Sequence, residues 1–165
     1  MNKTRRRKLL ILLSWVAVIL WMAFIFYLSS QVVDQSRMLS EGITNAGIGA
    51  VEKVAPGLHF DLTKLNILVR KNAHFFAFLA LSILVINAGR RSGLKGLRWF
   101  LLGLGFCILY AISDEIHQLF VPGRGAQVLD VLIDSAGVFV GSIIYKSASL
   151  LRARWRHSDI ASRIK

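Results

Sequence analysis

At 165 residues, 55% of them hydrophobic, the chain is too apolar for an ordinary water-soluble domain and long enough for one compact unit. Its formal net charge of +12 is carried by residues that flank apolar runs, which excludes the basic, aromatic-studded surface of a nucleic-acid binder. The single cysteine, Cys107, lies inside an apolar run, so there is no internal disulfide and no cysteine-based zinc motif.

The first eight residues are basic, and residues 9–28 follow as an apolar run with Ser14 its only polar interruption. As a helix these twenty residues reach about 30 Å, the thickness of a bilayer's hydrocarbon core. The run is too long for a signal peptide and no A-x-A cleavage site follows, so it is expected to remain as a first span. Trp21, Phe24, Phe26 and Tyr27 enrich its far half in aromatics, as suits an interface.

Residues 29–72 are mixed. Val32, Ser36, Leu39, Ile43, Ala46, Ala50 and Val54 recur at helical spacing between charged residues, which predicts an amphipathic segment on the membrane surface or over the bundle. Gly42, Gly47 and Gly49 weaken it, Pro56-Gly57 ends it, and Asp61 is placed to cap a new helix near Leu62.

The second span is expected at about 65–88, and Gly89–Arg98 forms a short basic loop. The apolar part of the third span, Trp99–Ile112, is too short alone. Extending the helix so that the span covers about 97–119 brings Asp114, Glu115 and His117 to the membrane edge. Val121-Pro122-Gly123-Arg124-Gly125 turns the chain, the fourth span follows at about 128–146, and 147–165 is a basic tail. The predicted fold class is an all-α membrane bundle, a single domain over residues 1–146. Fifteen of the 21 Lys and Arg lie in residues 1–8, 89–98 and 146–165, which by the positive-inside rule puts both termini in the cytoplasm.

Ionisable groups at membrane depth are costly, and their presence points to function. Helical geometry aligns Asp130, Asp134, Gly137 and Gly141 on one face of the fourth span, where Gly137-xxx-Gly141 is a small-xxx-small pair suited to close helix approach. Tyr110, Asp114 and His117 align on the third span, and Lys71, His74, Phe78 and Ser82 on the second. The candidate ligand-binding set is Lys71, His74, Glu115, Gln118, Arg124, Asp130 and Asp134. The catalytic candidates are His74, Asp114, Glu115 and His117. Blander roles compete: a structural histidine at 74, a snorkelling Lys71, solvated loop acids at 114 and 115, and an Arg124 that only pins the turn. Asp130 and Asp134, two acids one turn apart on the glycine face, suggest partners such as Arg124, Lys71 or His74, and Arg124's long side chain is expected to reach Asp130.

At these residues the sequence resembles the VanZ-like family of bacterial membrane proteins. The resemblance is carried by Ser29-Ser30-Gln31, by Lys71-Asn72-Ala73-His74-Phe75, by the run from Asp114 to Arg124, and by Asp130, Gly137 and Gly141. It covers the chain from the first span through the fourth. Asp134 departs from it, since such proteins often carry Asn there. The resemblance implies a multi-pass protein of the bacterial cytoplasmic membrane. The name-giving member is associated with low-level resistance to teicoplanin, a lipid-tailed glycopeptide.

Two functions stay open. One is an envelope protein whose polar pocket binds an amphiphile: a membrane lipid, a lipid-linked wall precursor or a lipoglycopeptide, with a contribution to glycopeptide tolerance. The other is a membrane-embedded hydrolase or transferase on a lipid-linked substrate, in which histidine and acids act as base or hold a divalent ion. No cofactor, no resident metal and no nucleic-acid partner is expected, and oligomeric state is left open.

Overall fold

Apolar runs long enough to cross a bilayer fold as helices, because a helix satisfies its own backbone groups where water is absent. The computed structural model of the chain describes residues 2–31, 38, 41–44, 61–94 and 96–163. Among them are four helices long and apolar enough to cross a membrane. These are α1 (Lys3–Ser29), α2 (Leu62–Arg91), α3 (Gly96–Gln118) and α4 (Val128–Arg163). The chain is a membrane protein with an all-helical bundle. Most of the predicted amphipathic segment lies outside the described residues; Met38 and Glu41–Thr44 are helical.

Helix boundaries follow local chemistry. Asn2 caps α1 by accepting the Thr4 N–H, so α1 begins within the basic tail and not at residue 9. The Asp61 carboxylate accepts the Lys64 N–H at 3.3 Å, the N-cap expected of it. α4 continues through the basic stretch to Arg163. Between α3 and α4 the Arg124 N–H returns to the Val121 carbonyl at 3.1 Å, and Gly123 has φ +77°. Pro at the second position and a positive-φ glycine at the third make this a type II turn.

The bundle is built inside out relative to a soluble protein. Leu12, Ile19 and Leu20 of α1, Leu102 and Leu109 of α3 and Leu132 and Ile143 of α4 are exposed, the arrangement hydrocarbon solvent permits. Phe78, Leu81 and Val85 of α2 are buried against Val18 and Ile25 of α1, Cys107 and Ala111 of α3, and Val138 of α4. α2 and α4 pack closest. A methyl group on Gly137 would collide with the Phe75 carbonyl, and one on Gly141 with the Leu79 carbonyl and Ser82 Oγ. The glycine pair thus lays α4 directly on the α2 backbone. Polar tips of aromatic rings tie α1 to its neighbours: Trp21 Nε1 donates to the Ala77 carbonyl at 2.9 Å, and Tyr110 Oη donates to the Met22 carbonyl at 2.7 Å.

Candidate functional site

The antiparallel order brings the C-terminal ends of α1 and α3 and the N-terminal ends of α2 and α4 to one end of the bundle, and the polar residues converge there. α1 ends at Ser29, which is fully buried; its Oγ donates to Asp114 Oδ2 at 2.6 Å. A helix C-terminus leaves carbonyls without intrahelical partners. Arg124 meets one of them, donating Nη1 to the Ser29 carbonyl at 2.8 Å. A guanidinium at this end also complements the helix dipole.

The same logic operates in reverse at α4. Its N-terminal amides need acceptors, and the Glu115 carboxylate accepts the Gln127 N–H at 2.6 Å. Glu115 therefore caps α4 from α3. Together Arg124 and Glu115 fix the α3–α4 turn against the ends of two helices.

A small cavity opens among these groups. It is lined by Arg70, Lys71 and His74 of α2, Glu115 and Gln118 of α3, Arg124 of the turn, and Asp130, Ile133 and Asp134 of α4. Its volume is about 20 Å³, room for about one water. Lys71 Nζ makes an ion pair with Asp130 Oδ1. His74 Nδ1 stands 3.8 Å from Asp134 Oδ2 and 4.0 Å from Asp114 Oδ2. Both of those carboxylates are only 2% exposed.

Arg70, Lys71 and Arg124 share the lining with Glu115, Asp130 and Asp134. Burial pushes the Arg124 guanidinium down from its ordinary value, and the Arg70 charge pushes it the same way, while Asp114, Glu115 and Asp130 push back. An arginine does not shed its proton in a protein, so Arg124 stays a cation. Among the described residues Arg70 has no hydrogen-bond or ion-pair partner.

All seven candidate ligand-binding residues line this cavity. Asp114 lies against His74 without lining it. His117 is turned elsewhere: its ring stacks on Phe26 of α1, centroids 4.3 Å apart and planes at 28°. Arg124 and Asp130, expected to meet, share the cavity, but the ion pair of Asp130 is with Lys71. Sequence reasoning left Arg70 out of the site. The signal was its place in the polar run Arg70-Lys71-Asn72, one residue before a candidate.

A family model described as VanZ/LLP1 matches residues 14–152, a stretch that includes every residue named at this site. No curated protein and no solved structure matches.

Proposed function

The chain belongs to the VanZ/LLP1 family, and from that premise we propose that it is a multi-pass protein of the bacterial cytoplasmic membrane that holds the anionic head of an amphiphile in its polar cavity. The head is a phosphate or carboxylate, as on a lipid-linked wall precursor or an acidic phospholipid. The fifteen Lys and Arg of residues 1–8, 89–98 and 146–165 favour both termini in the cytoplasm, with the cavity at the extracytoplasmic edge.

One observation carries this reading. Arg70 and Arg124 line the same cavity, one from α2 and one from the turn before α4. An anion between them takes charge-assisted hydrogen bonds from both. At about 20 Å³ the cavity admits water but not a phosphate, so the ligand enters as the partly buried Arg70 side chain moves. Phe120, Val128 and Leu129 are exposed beside the turn and offer an apolar surface to an acyl or prenyl tail.

Among the described residues the lining holds no Ser, Thr or Cys side chain, which favours holding a ligand over a covalent hydrolase or transferase route. The reading extends to a contribution to tolerance of lipid-tailed glycopeptides, amphiphiles of the same kind. Its test is retention of an anionic prenyl lipid by the purified protein, with and without Arg70.

A further inference from the structure

Within the site, His74, Asp114 and Asp134 form a tighter group than the cavity lining as a whole. One ligand atom from each lies within 4.8 Å of the others. The Oδ1 atoms of Asp114 and Asp134 are both buried and have no hydrogen-bond partner, although each side chain is some 98% enclosed. An acceptor left in that state costs about 1–3 kcal/mol, and more when it is charged. Asp134 also lines the cavity, which has room for about one water.

The geometry is near that of a metal site. Three ligand atoms each about 2.1 Å from one ion stand about 3–3.6 Å from one another. His74 Nδ1 stands 3.8 Å from Asp134 Oδ2 and 4.0 Å from Asp114 Oδ2. All three pairs therefore close on an ion, by about 1 Å or less, through side-chain rotation. Ser29 Oγ holds the Asp114 carboxylate by Oδ2, the kind of outer hydrogen bond that orients a ligating acid.

Charge points the same way. Two buried carboxylates share one imidazole, and a single imidazolium offsets only half their charge. Lys71 is engaged with Asp130, and Arg124 gives Nη1 to the Ser29 carbonyl. A dipositive ion would neutralise both acids.

We propose that His74, Asp114 and Asp134 bind one divalent first-row metal ion, of the Mn²⁺ or Zn²⁺ kind, inside the bundle where α2, α3 and α4 meet, with a water completing its shell. A mixed imidazole and carboxylate set suits these ions better than Mg²⁺ or Ca²⁺, which take oxygen alone. The site shares His74 and Asp134 with the amphiphile cavity, but its test reads metal uptake with no lipid present, so either reading fails without the other. The competing account is a proton shared between the two acids and His74, which predicts no metal at all.

The test uses the full chain in detergent, freed of any purification tag, stripped with chelator and titrated with Mn²⁺ and with Zn²⁺. Calorimetry and metal content after desalting should both give one ion per chain. Asp134→Asn and His74→Gln should each weaken binding at least ~10-fold, while Tyr145→Phe, midway along α4 and outside the cavity lining, should leave it unchanged. Where a site variant does not fold, the Mn²⁺-loaded wild type answers through its spin-echo spectrum, which should show modulation from one imidazole nitrogen. No stoichiometric uptake by the wild type, uptake unaffected by both variants, or a spectrum without nitrogen modulation would overturn the assignment.

Discussion

Arg124 donates to the backbone carbonyl of Ser29, joining the turn before α4 to the end of α1 across 95 residues of sequence. The bond satisfies a carbonyl that α1 itself leaves open, at a position removed from water. Arg124→Ala strands that acceptor and is expected to lower stability by about 1–3 kcal/mol. Arg124→Lys should recover part of the loss, because an ammonium still donates to a carbonyl but lacks the planar fork. Thermal unfolding in detergent reads both, and equal midpoints for wild type and Arg124→Ala would show that the bond contributes nothing.

Gly141→Leu should separate α2 from α4. A side chain there has nowhere to go, since the Leu79 carbonyl and Ser82 Oγ already occupy the space of its first carbon. Overpacking of this kind costs about 1–3 kcal/mol, and more when backbone must move. Loss of a monodisperse peak in size-exclusion chromatography, or a clearly lower melting temperature, is the expected result. An unchanged protein would place the α2–α4 contact elsewhere.

The four spans and the glycine face were legible in the sequence because their signals are local. Twenty apolar residues fix a length, and residues 137 and 141 share a face in any helix. The level of the polar residues was legible too, since a short third run had to extend to Asp114 and Glu115 to reach membrane length. Pairings between helices were legible only as a short list, Arg124, Lys71 or His74 for Asp130 and Asp134, and not as a choice within it. Lys71 and Arg124 both reach for the acids near Asp130, and only the packing of α2 on α4 decides that Lys71 takes it. Asp114 and His117 share a helical stripe, yet three residues of rotation carry His117 onto Phe26 and leave Asp114 facing Ser29 and His74. Glu115 read as a candidate ligand or catalyst, and its carboxylate accepts an amide of α4, which no spacing rule could foretell.

Topology follows from the placement of basic residues and is open to a direct check. A cysteine at Leu94, between α2 and α3, should resist an impermeant thiol reagent in intact cells, while one at Gly125, between α3 and α4, should react. Both positions are exposed, and the native Cys107 is buried and stays silent. The opposite pattern of labelling would invert the protein and put the cavity on the cytoplasmic side.

The central claim is that the cavity grips an anionic head between Arg70 and Arg124. Arg70 is the residue to test, because no partner among the described residues depends on it and Arg70→Gln should leave the fold intact. The measurement is native mass spectrometry of the full chain in detergent, titrated in parallel with a long-chain prenyl phosphate and with the uncharged prenol of the same length. The account predicts that the wild type retains the phosphate at least ~10-fold better than the prenol, and that Arg70→Gln, unchanged in melting temperature, loses most of that preference. Equal retention of the two lipids by the wild type, or a preference that survives Arg70→Gln in full, would contradict it.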